Sequence, residues 1–226
     1  MVPQISNSDK IQYMEHPGID KKPTAGIILA AGKSTRFGSL KHLFKVGEKT
    51  IISMVIDASV KSDLDRIVLV LGYRSDTIMT AIDNHLQNHK IRTVINPRFQ
   101  EGMSSSLKCG MMEIRDEFPS VMIILGDHPF LDTKTINILL DRFKSSDKAI
   151  CVPVYKGKRG LPVCFGNRFY ADIMNITGDI GARHIIQKNP EQVLTVEVDN
   201  PDCLFDVDND DDVAQLISRF EEKKIL

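Results

Sequence analysis

Ala25-Gly26-Ile27-Ile28-Leu29-Ala30-Ala31-Gly32-Lys33-Ser34-Thr35-Arg36-Phe37-Gly38-Ser39-Leu40-Lys41 decides the fold. Its first half is a short apolar run with no polar alternation, the pattern of a strand buried on both faces in a parallel sheet. Its second half is a polar loop with two glycines, Gly32 and Gly38, the small hydroxyl residues Ser34, Thr35 and Ser39, and the cations Lys33, Arg36 and Lys41. In an open α/β sheet, ligands bind beyond the carboxyl ends of the strands. Small residues there let backbone N–H groups approach phosphate oxygens, while Arg36 and Lys41 neutralise them. The spacing is neither that of the Walker loop nor Gly-x-Gly-x-x-Gly. On the residues alone a phosphate cradle and an ordinary glycine-rich turn both stand.

Downstream, strand and helix patterns alternate. Helical spacing runs over 50–61, 75–87, 104–115 and 133–144, the last with Asp132 or Thr133 as cap. Apolar strand runs lie at 66–71, 91–95, 121–125 and 149–154. This rhythm predicts an α/β protein with a doubly wound, mostly parallel twisted sheet and helices on both faces. After residue 155 the rhythm loosens into a C-terminal elaboration. It contains a basic turn at 155–160, a short strand at 162–165 antiparallel to the rest, and helices at 179–188 and 210–223. Residues 1–23 are polar and weakly periodic and read as an arm; residues 24–226 read as a single domain.

The 29 basic and 30 acidic residues nearly cancel, which argues against a general polyanion binder such as a nucleic-acid protein. No apolar run is long enough to span a membrane, and Met1 to Pro23 has no signal-peptide core. A cytoplasmic protein is the expectation. Cys109, Cys151, Cys164 and Cys203 form no close pair in sequence, so they read as reduced thiols rather than a zinc or dithiol site.

Two further stretches carry chemistry. Leu125-Gly126-Asp127-His128-Pro129 leaves an apolar strand, where a carboxylate either holds a phosphate-bridging magnesium ion or caps a turn. His128 reads as a shaping residue more than as a base. In Phe205-Asp206-Val207-Asp208-Asn209-Asp210-Asp211-Asp212, strand-like spacing puts Asp206 and Asp208 on one side, able to supply a second ligand to the same ion. Asp210 to Asp212 favour the start of the last helix.

The Leu-Ala-Ala-Gly-x-Ser-x-Arg-Phe-Gly-x-x-Lys stretch strongly resembles the opening motif of Rossmann-like nucleotidyltransferases, and within them the molybdenum-cofactor cytidylyltransferases. Five more blocks are similar, in the family's order. They are Gly102-Met103-Ser104-Ser105-Ser106-Leu107, Gly126-Asp127-His128-Pro129, Lys158-Arg159-Gly160-Leu161-Pro162, Gly178-Asp179-Ile180-Gly181-Ala182-Arg183, and Asp206-Val207-Asp208 with Asp212. His128, Leu161 and Asn209-Asp210 depart from the family's usual residues.

The resemblance implies magnesium-dependent transfer of CMP from CTP to the terminal phosphate of molybdopterin cofactor, with release of pyrophosphate. It implies Arg36, Lys41 and Asp127 as catalytic residues. Leu29, Ala30, Ala31, Gly32, Ser34, Arg36, Lys41, Ser105 and Ser106 would bind the nucleotide. Lys158, Arg159, Gly160, Asp179 and Arg183 would bind the acceptor, with Ser104 either near a ligand or capping a helix. Asp127 with Asp208 or Asp206 would hold the metal, Asp208 being favoured by its place in the motif. Ala30-Ala31 before Gly32 leans toward a cytosine nucleotide, since a Cβ at Ala31 restricts the pocket. A partner molybdenum hydroxylase would be a docking target. Transfer to another phosphorylated small molecule, or a non-enzymatic cofactor-carrying role, are the other readings.

Overall fold

The computed structural model describes residues 23–33, 40–201, 205–207 and 209–225. The polar arm at 1–22, Ser34 to Ser39, Cys203 and Asp208 lie outside the described residues. The first strand, β1 (Thr24–Ala30), is buried along its whole length. It pairs in parallel with β4 (Arg66–Leu71) on one side and β6 (Ser120–Leu125) on the other. A strand flanked on both edges and covered on both faces needs the uniform apolar run that the sequence carries. Strand β5 (Ile91–Ile95) continues the parallel array beyond β4.

On the far side the order is β6, β9 (Val163–Gly166), β7 (Ile150–Tyr155) and β10 (Val193–Glu197). Strand β9 is antiparallel to both neighbours, as the short strand expected at 162–165 requires. Strand β8 (Lys158–Arg159) folds back on β7 as a hairpin, and a separate two-stranded ribbon joins β2 (Lys45–Val46) to β3 (Lys49–Thr50). The sheet is therefore mostly parallel, with an antiparallel insertion where the alternation of strand and helix breaks down.

Helices α1 (Ile51–Val60) and α5 (Thr133–Lys144) pack on one face around Ile52, Ile56, Leu69, Ile136 and Leu140. Helix α4 (Met103–Met112), the short α6 (Tyr170–Asn175) and α7 (Arg183–Lys188) cover the other face around Ile27, Val70, Leu107 and Phe165. Thr50 and Ser53 form a reciprocal capping box at α1, and the Asp132 carboxylate accepts from Thr135 N–H at α5.

Four expectations change. The helix expected over 75–87 is two pieces, α2 (Ser75–Ala81) and α3 (Asp83–Leu86), because Ile82 leaves helical geometry and is buried. The helix expected from Asp179 starts only at Arg183. Residues 205–207 form no strand, although burial still alternates, with Phe205 and Val207 inward and Asp206 exposed. Cys151 and Cys164, distant in sequence, sit opposite each other in the β7–β9 register, both fully buried. The hydrogen bond between them and burial push the Cys164 thiol pKa up, and both cysteines are free thiols. The last helix, α8 (Asp210–Ile225), packs Leu216 with Phe205 and Val207 onto Val46, Ile51 and Phe130. Asn209 accepts from Asp211 and Asp212 N–H while the Asp212 carboxylate accepts from Asn209 N–H, a capping box at its start.

At the junction of β5 and α4 a glycine is required. Gly102 has φ +96°, and a Cβ there would lie 2.7 Å from the Asp179 nitrogen and from the Gly178 carbonyl group. Gly102→Ala adds left-handed strain to a backbone clash, so we expect a loss of about 3 kcal/mol or more. Urea unfolding of the variant measures it; a loss below about 1 kcal/mol would show that the 178–181 loop yields.

Candidate functional site

The carboxyl ends of β1 and β6 converge on one place. Gly126 N–H donates to the Leu29 carbonyl, which holds the chain leaving β6 against the chain leaving β1. Lys41, at the start of a short 3-10 turn over Lys41–Leu43, reaches across with its Nζ 2.6 Å from Asp127 Oδ2. Both side chains are mostly buried, at 12% and 15% exposure. Burial alone pushes the Asp127 carboxyl up, but the Lys41 charge, the neighbouring His128 and the Lys41 hydrogen bond outweigh it, and the net shift is downward. Asp127 is therefore an anion in the resting protein.

The other oxygen, Asp127 Oδ1, is buried and takes no hydrogen bond among the described residues. His128 Nε2 is 3.9 Å away, beyond hydrogen-bonding distance. An orphaned carboxylate oxygen is a hard donor, which fits a divalent cation of the magnesium type. Among the described residues no three His, Cys, Asp or Glu side chains cluster for a metal. The segment 205–207 runs beside this point, with Val207 N–H donating to the Asp127 carbonyl at 3.3 Å.

Two cavities meet here. The first, about 760 Å³, is lined by Leu29, Ala31, Gly32, Lys33, Lys41 and Asp127 at one side. Across it stand Phe99, Gly102, Met103, Ser106 and Asp179. The second, about 520 Å³, has an apolar floor including Ile123, Val152 and Phe165, and a rim with His128, Arg159, Gly160, Arg183 and Asp206. Leu29, Met103 and Leu125 line both.

Most of the residues singled out in the sequence come together here, though not all in the expected role. Leu29, Ala31, Gly32 and Lys41 line the first cavity, whereas Ala30 turns its side chain into the core beneath it. Ser106 lines the first cavity, but Ser105 does not: its Oγ donates to the Arg98 and Gly102 carbonyls and accepts from Asn96. Ser104 lies inside α4, and the helix start is held instead by Asp179, whose carboxylate accepts from Met103 N–H at 3.1 Å. Asp179 thus stands in the first cavity, apart from Arg159, Gly160 and Arg183 in the second. Lys158 is exposed on the hairpin and lines neither. Asp206 lines the second cavity and not the first. Ser34, Arg36 and Asp208 lie outside the described residues.

Sequence reading missed Phe99, Met103 and His42 as lining residues. Gly72 was the overlooked signal. A Cβ there would meet Phe99 and Ala31 within 3 Å, while Tyr73 N–H binds the Ala31 carbonyl. That close approach fixes the loop after β1. His42 is buried at 3% exposure, and its pKa is lowered to about 4, first by burial and then by Lys41 against the opposing pull of Asp127.

His42 makes stability depend on pH. Above about pH 6.5 the imidazole is neutral in both folded and unfolded chain. Between 6.5 and 4 the unfolded chain binds a proton that the folded site refuses, so stability falls as pH falls, by on the order of 3 kcal/mol across the window. Urea unfolding between pH 7.5 and 4.5 should show this slope, and His42→Leu should flatten it. An equal slope in both proteins would assign it to other groups.

A doubly wound sheet with a lysine–aspartate pair and a cavity at its carboxyl edge is the frame of an α/β protein that takes its ligand beyond its strands. Residues 26–193 match the MobA-like NTP transferase domain, and the chain belongs to that family of nucleotidyltransferases. It is 25% identical to the molybdenum cofactor cytidylyltransferase of Escherichia coli (strain K12) over 199 residues, covering 87% of this chain and 96% of that protein. It is 31% identical over 127 residues to the bifunctional protein GlmU of Sorangium cellulosum (strain So ce56), which takes in 53% of this chain but spans only 27% of that protein. In fold it matches the crystal structure of Rv0371C from Mycobacterium tuberculosis H37Rv in complex with manganese, with TM-score 0.73 and 23% identity, covering 87% of this chain and 98% of that one. No helix among the described residues is long and apolar enough to cross a membrane.

Proposed function

We propose that the protein transfers CMP from CTP to the terminal phosphate of molybdopterin cofactor. One observation carries the reading. Two cavities of nucleotide and pterin size share a wall at Leu29, Met103 and Leu125, and Asp127, two residues beyond Leu125, lines the first. A donor nucleotide in the first and a phosphorylated acceptor in the second would bring the attacking oxygen and the α-phosphorus together. The relative of nearly equal length named as a molybdenum cofactor cytidylyltransferase supports the acceptor. The Ala31 side chain in the first cavity supports a small pyrimidine base.

In this mechanism an acceptor phosphate oxygen attacks the α-phosphorus in line, the bond to the β-phosphate breaks, and pyrophosphate leaves with the electron pair. The nucleophile is already anionic, so no general base is required, and His128 serves the second cavity's shape. Catalysis is positioning plus charge neutralisation. Backbone N–H groups of the loop after Ala31 cradle the triphosphate, and Lys41 and Arg36 take up charge on the leaving pyrophosphate. Arg159 and Arg183 hold the acceptor phosphate against the apolar floor that takes the pterin. Asp127 with Asp208 would hold magnesium, which supplies further charge neutralisation when bound. The manganese complex of the structural neighbour supports a divalent ion.

The test is to incubate the protein with CTP, magnesium and molybdopterin cofactor and analyse the pterin by mass spectrometry. A cytosine dinucleotide is the expected product; an unchanged pterin would refute the acceptor assignment.

A further inference from the structure

Asn96 ends β5, its N–H bound to the Leu71 carbonyl, and its side chain is buried at 3% exposure with every polar group used. The oxygen Oδ1 accepts from Arg98 N–H at 2.9 Å. Only an oxygen can accept there, so the amide orientation is fixed. Its two Nδ2 protons go to Ser105 Oγ at 2.8 Å and Ser106 Oγ at 3.0 Å. Ser105 passes its own proton on to backbone carbonyls. Ser106 does not: among the described residues no acceptor takes its proton, and it lines the first cavity. Asn96 takes one of its two lone pairs and turns the unclaimed proton away from the amide, so the donor is what Ser106 offers a ligand.

Position says what that donor meets. In the order β6-β1-β4-β5, Asn96 stands three strands from Asp127, about 14 Å at the usual strand spacing. Phosphates held at Lys41 and Asp127 put the nucleobase at the Asn96 end, beside Phe99 and Met103. We propose that Asn96 is a positioning residue that sets the hydrogen-bond polarity of the nucleobase pocket: it turns the Ser106 hydroxyl outward, so that the pocket reads an acceptor atom on the edge of the base. The inference rests on the nucleotidyl-transfer reading and deepens it.

Asn96→Asp is nearly isosteric but offers Ser106 an acceptor in place of a donor, which draws the hydroxyl proton inward. Calorimetric binding of CTP and of inorganic tripolyphosphate, each with magnesium, to the full chain tests this. Tripolyphosphate has the charge but no base. Asn96→Asp and Ser106→Ala should each weaken CTP about tenfold, the value of one neutral hydrogen bond, and leave tripolyphosphate within about twofold. In a chain already carrying Ser106→Ala, Asn96→Asp should cost nothing more, because the two act through one group.

Asn96→Ala, which adds no charge, is the second variant should the aspartate not fold. It should weaken CTP by part of the same factor, again only where Ser106 is present. Equal losses for CTP and tripolyphosphate, an undiminished loss in the Ser106→Ala background, or unchanged CTP binding would each overturn the proposal. If the wild-type chain binds tripolyphosphate no less tightly than CTP, or binds neither, the nucleotide reading itself fails and takes this one with it.

Discussion

Asp127→Ala is expected to abolish turnover, by a factor of ~10³ or more. The carboxylate lines the first cavity two residues beyond Leu125, which lines both, its Oδ2 paired with Lys41 and its Oδ1 bonded to nothing among the described residues. Removing it deletes the hard oxygen that fits a divalent ion and takes the 2.6 Å carboxylate away from a mostly buried ammonium. The second effect costs stability as well, up to the about 3–5 kcal/mol of breaking one side of a buried pair. Asp127→Asn separates the two: it keeps the shape and a hydrogen-bond acceptor for Lys41, yet it should be as inactive as the alanine variant. Metal-dependent turnover retained in a folded Asp127→Asn protein would remove Asp127 from the machinery.

Lys41→Ala is the second large effect, a loss of about 10²–10³ in rate. Its origin is loss of charge neutralisation on the leaving pyrophosphate. A second consequence is specific to this geometry. Burial pushes the Asp127 carboxyl up, and Lys41 is the largest influence holding it down. Without Lys41 the carboxyl pKa rises, so part of the group is protonated at lower pH. The residual rate of Lys41→Ala should therefore climb with increasing pH where wild type is flat, and Lys41→Arg should restore most of the activity and the flat profile. A pH-independent residual rate would show that Lys41 acts on the phosphates alone.

The centre of the fold was legible because its physics is local. A strand buried on both faces must be apolar along its interior, and Ala25 to Ala30 is. A carboxylate directly after such a strand lands at the carboxyl edge, so Asp127 and Lys41 could be brought together from sequence. What was not legible depended on partners distant in the chain. Ser105 and Ser106 look alike in sequence and both accept from Asn96; the Arg98 and Gly102 carbonyls, which take the Ser105 proton, separate a scaffold hydroxyl from a cavity donor. Asp179 read as helical with Arg183, but Gly178 at φ +77° and the loop after it carry the carboxylate to the start of α4. Cys151 and Cys164 meet only because β9 runs antiparallel between β6 and β7. Strand β10 escaped notice because it is a half-exposed edge strand whose apolar run is short.

The most direct test of nucleotidyl transfer to a pterin phosphate is pyrophosphate release. The full chain is mixed with molybdopterin cofactor and, in turn, CTP, GTP, ATP and UTP, with and without magnesium. Release with CTP that requires both the metal and the pterin is the predicted result. Release that does not depend on the pterin, or none with any nucleotide, would contradict it.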